Sequence, residues 1–206
     1  MDDISVGFVI GLVQSGLGHP FDTVKTLLQN GQTFRDLKPL SYYRGVAYPT
    51  VASLIFNVTT FPLYGYYYEK TQNAYYSGMI SGIAIAPVDY AFSVGKIRRQ
   101  TLTPVPIHFK GVTLNCLRTV IAMATYFGVY NDLTGNYGPL VAGAAAGVAN
   151  WTVTYPLDVV STRQIAGNIS VIQAFRGPLF RGYSACVARA ILVNSATFYV
   201  YEKFKK

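Results

Sequence analysis

Charge is what this chain has least of. Only 13% of its 206 residues are Asp, Glu, Lys or Arg, against about 25% in soluble domains. Apolar residues make up 51% and aromatics 15%, with 17 tyrosines. Mean hydropathy is +0.28. That balance suits a membrane better than cytosol. Cysteine is almost as scarce. Cys116 and Cys186 lie in apolar stretches, which excludes a disulfide framework and a thiolate metal site and leaves packing as their reading. No nucleophile–base arrangement, metal-ligand cluster or phosphate-cradling loop stands out, so neither an enzyme, a metal nor a cofactor is expected. The opening Met1-Asp2-Asp3-Ile4 is acidic and runs into apolar sequence. It resembles neither a basic transit peptide nor a signal n-region, so targeting information is expected to be internal.

The charge that is present is unevenly placed. The formal net charge is +8, and eleven of the seventeen Lys and Arg fall within Pro20–Gly45, Pro87–Gly111 and Pro156–Gly182. Short basic clusters between apolar runs argue against nucleic acid as a partner. Basic loops gathered on one side of a membrane explain them better.

Those segments repeat. Pro-x-Asp occurs at Pro20/Asp22, Pro87/Asp89 and Pro156/Asp158, at intervals of 67 and 69 residues. An aromatic–basic–Gly triplet follows each: Tyr43-Arg44-Gly45, Phe109-Lys110-Gly111 and Phe180-Arg181-Gly182. The Pro-to-Gly distances are 25, 24 and 26. Small residues spaced by four precede each proline in register, at Gly7/Gly11, Ala74/Gly78 and Gly143/Gly147. Such pairs let membrane helices approach closely. The repeats are therefore read as 1–70, 71–135 and 136–206 of a single domain.

Uncharged runs frame each unit, but a span needs about 20 residues. Several runs must therefore extend past Asp22, Asp89, Arg118 or Arg189. A charge there costs at least about 2.5–3.5 kcal/mol, so each is expected to face a partner or a wet cavity. The expected helices are 4–29, 46–70, 73–97, 112–134, 138–164 and 184–204. Their many Gly, Ser, Thr, Asn and Tyr residues suit a bundle around a watery path. Tyr64, Tyr66, Tyr67 and Tyr68 cannot all face it, and an interfacial aromatic belt absorbs most of them.

This tripartite pattern resembles the mitochondrial carrier family over essentially the whole chain. Gly18-His-Pro-Phe-Asp-Thr-Val-Lys25 matches the family's odd-helix motif, with Gln29 at its glutamine-brace position. The resemblance implies an all-α membrane protein of six transmembrane helices in three pseudo-threefold repeats. It also implies a monomer in the mitochondrial inner membrane that exchanges a small-molecule substrate by alternating access. Pro kinks the odd helices, and substrate shifts the balance between two gates. Asn150-Trp151 before Tyr155-Pro-Leu-Asp-Val-Val160, and Arg189-Ala190 followed by Asn194, are closest to the carnitine, ornithine and basic amino-acid branch. Tyr126-Phe-Gly-Val-Tyr130 is closer to adenine-nucleotide carriers.

The chain departs from the family where gates belong. The matrix gate keeps Asp22, Lys25, Gln29, Asp89 and Asp158, but Phe92 and Ser161 stand where cations are usual. By the family's pairing order Lys25 meets Asp158, Asp22 faces Phe92 and Asp89 faces Ser161. The cytosolic gate positions are Gly65/Tyr68, Asn131/Thr134 and Glu202/Lys205, so only the last pair is ionic. Glu69 lies one turn beyond Gly65 and is the alternative partner of Lys205. The Pro-to-Gly loops leave room for stunted matrix helices only.

The family's substrate-contact positions, seven residues after each triplet Gly, are Ala52, Arg118 and Arg189. With Thr119 beside Arg118, the resemblance implies a small, carboxylate-like anion held by guanidinium forks. Amino-acid carriers have an acid where Thr119 stands. The bland reading is that each arginine satisfies helix carbonyls or lipid phosphate. His19 either lines the cavity or is a hydrogen-bonded packing residue, and Trp151 either flanks substrate or packs the bundle. In the family the triplet glycines begin even helices that hold cardiolipin, here Gly45, Gly111 and Gly182 with Arg44, Lys110 and Arg181. A plain structural turn is the alternative at any one of them. Asn57, Asn150 and Asn168 match the glycosylation pattern, but the first two fall inside expected spans. The rival to a carrier of carboxylates is a carrier of amino acids, carnitine-like solutes or nucleotides. A further rival is a degenerate relative acting as a leak channel or membrane interaction protein.

Overall fold

A computed structural model describes residues 3–33, 38–101, 109–189 and 192–193. Among the described residues the chain is helical and contains no strand. The long helices are α1 (Asp3–Gln29), α2 (Ala47–Thr71), α3 (Ala74–Gln100) and α4 (Val112–Gly167). One short helix, α5 (Val171–Phe175), and a 3-10 turn, Pro39–Tyr43, lie in the linkers. Residues 183–189 and 192–193 are again helical. The rest of the expected 184–204 helix lies outside the described residues.

Local chemistry sets the boundaries. Gln72 takes a left-handed φ of 51° and closes α2 by donating its N–H to Tyr68 O. The Asn73 side chain accepts the Tyr76 N–H and starts α3 at once. A helix N-terminus has orphan N–H groups that such a cap satisfies. Ser170 and Gln173 form a reciprocal capping box on α5.

The expected loop between 134 and 138 is absent. Instead α4 runs on, broken only at Gly138, whose φ of 75° and ψ of 165° are non-helical. Gly138 precedes Pro139, and a residue before proline is driven out of helical ψ. Glycine supplies the positive φ without steric cost. The break divides α4 into arms of about 40 Å each at 1.5 Å per residue. The triplet glycines Gly45, Gly111 and Gly182 share a left-handed φ of 80°, 86° and 88°.

Packing is tightest around α3. A methyl group on Gly78 would lie 2.5 Å from Met123 O, and one on Gly82 2.8 Å from Val120 Cα. Backbones of α3 and the first arm of α4 therefore touch, the approach small residues permit. Gly143 and Gly147 meet nothing within 4 Å among the described residues. They border a cleft of about 540 Å³ with Trp151, Cys186 and Arg189. Toward the C-terminal end of α3, Tyr90 and Ile97 pack against Ile165 of α4.

Polar side chains share the interior with apolar ones, and large apolar side chains face outward. Thr23, Gln29, Ser77, Ser81, Gln100 and Thr154 are buried, whereas Ile83, Leu117, Val141, Val148 and Val153 are exposed. Buried polar groups and exposed large apolar groups are the informative departures from a soluble fold. Among the described residues, two helices, Ala74–Gln100 and Val112–Gly138, are long and apolar enough to cross a membrane.

Candidate functional site: a cluster of paired charges

The Pro-x-Asp motifs bring three carboxylates into one region, and each carries a cation. Lys25 Nζ lies 2.7 Å from Asp158 Oδ2. Gln29 donates to the same oxygen at 2.8 Å. Asp22 is held on both sides, by Lys96 Nζ at 3.2 Å and Arg189 Nε at 3.0 Å. Asp89 Oδ2 is met by Arg118 Nη2 at 2.6 Å, Asn115 Nδ2 at 2.9 Å and Thr119 Oγ1 at 2.8 Å. Arg118 Nε also reaches to 3.9 Å from Asp158 Oδ1. The charges bridge α1, α3, both arms of α4 and the last described helix.

Burial of an ion pair costs desolvation that only good geometry and further hydrogen bonds return. Asp89 has three donors and Asp158 has two within normal range, which meets that requirement. Lys25 has a further favourable neighbour in the Trp151 ring, whose centroid is 4.3 Å from Nζ. Trp151 thus faces Lys25 and also borders the cleft.

The pairing differs from the order expected of the sequence in two of three places. Lys25–Asp158 forms. Asp22 meets Lys96 and Arg189 instead of facing Phe92, and Asp89 meets Arg118 instead of Ser161. Ser161 turns back to donate to Asp158 O. Lys96 was readable in principle, because it stands nine residues after Pro87, the offset of Gln29 from Pro20. Asn115 and Gln100 carried no such signal.

His19 is sealed rather than open. It is 2% exposed, its Nε2 lies 3.0 Å from Arg44 O, and its ring stacks on Tyr43. Beside it Gln100 donates to Thr23 Oγ1 and accepts from Thr26 Oγ1. This buried polar seam joins α1 to α3. Thr23 Oγ1 in turn donates to Tyr42 O, tying the Pro39–Tyr43 turn to α1.

At the other end of the helices the described gate positions Gly65, Tyr68, Asn131 and Thr134 are neutral. Tyr68 OH donates to Asn131 Oδ1 at 2.9 Å, and Tyr64 stacks on Phe127 at 3.9 Å. Glu69 is exposed, and Glu202 and Lys205 lie outside the described residues. Among the triplet residues, Arg44, Lys110 and Arg181 are exposed. Lys110 Nζ donates to Asn168 O at 2.7 Å.

Among the described residues, apolar helices carry charges that are paired around the three motif aspartates, an arrangement in keeping with a helical membrane protein. The chain is similar to members of the mitochondrial carrier family. The family profile described as "Mitochondrial carrier protein" matches residues 132–206. Solute carrier family 25 member 45 of Mus musculus is 25% identical, covering 98% of this chain and 97% of its own length. A mitochondrial arginine transporter of Arabidopsis thaliana is 27% identical, over 95% and 86%. The mitochondrial basic amino acids transporter of Homo sapiens is 24% identical, over 95% and 87%. The mouse alignment runs over 279 positions, more than the 206 residues here. The relatives therefore carry inserted segments that this chain lacks, in keeping with its short linkers. Members of the family are transporters of small molecules, not enzymes.

Proposed function

We propose that this chain exchanges a small amino acid across the mitochondrial inner membrane by alternating access. Six spans in three repeats, 1–70, 71–135 and 136–206, surround the path, and the protein works as a monomer. The observation that carries the reading is that Arg118 and Arg189 are paired with Asp89 and Asp22. A substrate carboxylate that takes a guanidinium frees an aspartate. Left unpaired in the interior, that aspartate costs about 3–5 kcal/mol. A substrate with its own cation satisfies both halves of the broken pair. Asp89, 2.8 Å from Thr119, supplies an acid beside the position where amino-acid carriers have one. Relatives named for arginine and basic amino acids point the same way.

The three aspartates close the matrix side, and substrate opens it by competing for their partners. A ligand shifts such an equilibrium only by its differential affinity. With all three motif carboxylates paired, the matrix gate no longer argues for a leak channel, although the sparse cytosolic gate and the short linkers still do. A second reading, a small carboxylate without an amine, is favoured by the balance of the cluster. Four cations, Lys25, Lys96, Arg118 and Arg189, face three carboxylates. On the matrix face the left-handed glycines at 45, 111 and 182, with Arg44, Lys110 and Arg181, form lipid phosphate sites of the cardiolipin kind, since helix N-termini favour anions.

Uptake into liposomes from a panel of basic and neutral amino acids, carboxylates, nucleotides and phosphate tests the reading. Amino-acid exchange that is lost in Arg118→Ala and in Arg189→Ala supports it. Transport that survives both substitutions refutes it. Exchange restricted to carboxylates lacking an amine establishes the second reading.

A further inference from the structure

We infer that Lys96 is the matrix-gate cation of the second repeat, displaced by one helical turn from the position where Phe92 stands. The inference deepens the transport reading above by assigning a gating residue to the same charge cluster. Its ground is geometric. Lys25 follows its motif proline by five residues, and the corresponding residue after Pro87 is Phe92. Lys96 lies four residues further along α3, and residues at i and i+4 share a helix face. The long lysine stem then delivers Nζ to 3.2 Å from Asp22 Oδ2.

The site Lys96 occupies is the second repeat's equivalent of Gln29. In the first repeat the two tasks are divided: Lys25 supplies charge to Asp158 and Gln29 supplies a neutral donor to the same oxygen. In the second repeat one residue does both for Asp22. The opposite side of Asp22 is covered by Arg189, so the carboxylate ties α1 to α3 and to the last described helix at once. Removing Lys96 leaves Arg189 as the remaining described ion-pair partner, so the ionic link from α1 to α3 is lost while the one to the last described helix stays.

A lysine that merely reaches toward matrix water or lipid headgroups would be indifferent to Asp22. A double-mutant cycle on the detergent-purified protein separates the two. Lys96→Gln and Asp22→Asn each lower the thermal unfolding midpoint, and the double variant falls no lower than Asp22→Asn alone. Additive losses overturn the inference. Moving the charge back, in Phe92→Lys/Lys96→Gln, restores the midpoint toward wild type, which a merely steric role of Lys96 does not permit. These readouts need no solute, so they stand even if exchange is never observed and the transport reading fails. In proteoliposomes, Lys96→Gln raises the loss of preloaded solute without counter-solute, and the relocated lysine suppresses it. Wild-type retention by Lys96→Gln overturns the gating role.

Discussion

Gln29 donates to the same Asp158 oxygen that Lys25 approaches, at 2.8 Å and 2.7 Å. One carboxylate oxygen therefore anchors two residues of α1 to the second arm of α4. A hydrogen bond to a charged group contributes about 1.5–3 kcal/mol. Gln29→Ala is expected to lower the unfolding midpoint by a few degrees and to leave the Lys25–Asp158 pair formed. Lys25→Met is expected to cost more, because it strands a buried carboxylate. Thermal unfolding of the two purified variants in one detergent checks the order, and equal losses would contradict it.

The two small-residue pairs with described surroundings behave differently. Gly78 abuts the Met123 backbone, whereas Gly143 has nothing within 4 Å among the described residues. Gly78→Val has no flexible neighbour to displace and is expected to abolish folding or cost on the order of 3 kcal/mol. Gly143→Ala is expected to be neutral or stabilising by up to about 1 kcal/mol through helix propensity. Yield and unfolding midpoint of both variants are the measurements.

Arg163 is held by carbonyls alone in its hydrogen bonds. Its guanidinium donates to Gln29 O at 2.9 Å, Ala174 O at 3.0 Å, Arg176 O at 3.0 Å and Pro178 O at 2.8 Å. It staples the end of α1 and the α5 linker to α4. Lysine keeps the charge but cannot offer a planar fork of donors. Arg163→Lys is therefore expected to lose most of what Arg163→Ala loses, by several degrees of unfolding midpoint. A lysine variant matching wild type would show that charge, not geometry, is what matters.

Much of the fold was legible because it rests on spacing. The helix limits at 29, 71 and 100 fall within three residues of those expected at 29, 70 and 97. The repeats place Asp22, Asp89 and Asp158 in equivalent registers, and the matching φ at Gly45, Gly111 and Gly182 has the same origin. The partners of the aspartates were less legible. Lys96 reaches Asp22 through side-chain length, and a position-by-position reading of Phe92 misses it. Arg118 and Arg189 stood out in the sequence by their common offset from the triplet glycines. Their engagement by Asp89 and Asp22 depends on how far apart the helices stand, which no spacing encodes.

The clasp at the far end is neutral where a family gate would be ionic. Tyr68 and Asn131, which the family resemblance sets at a basic and an acidic gate position, share one hydrogen bond of 2.9 Å. The stack of Tyr64 on Phe127 lies beside it. A neutral bond of this kind contributes about 0.5–1.5 kcal/mol, and salt does not screen it as it screens exposed charges. The Tyr68–Asn131 contact itself is therefore expected to be insensitive to ionic strength, and Tyr68→Phe is expected to weaken closure modestly. The pair Tyr68→Lys/Asn131→Asp reinstates opposite charges at the same separation. It is expected to hold that end shut more firmly at low salt, slowing exchange, with the rate recovering as salt rises. Initial exchange rates of the three proteins across a salt series decide the point. A wild-type rate that climbs with salt as steeply as the charged variant's would mean that this end is held by ions and not by the Tyr68 hydroxyl.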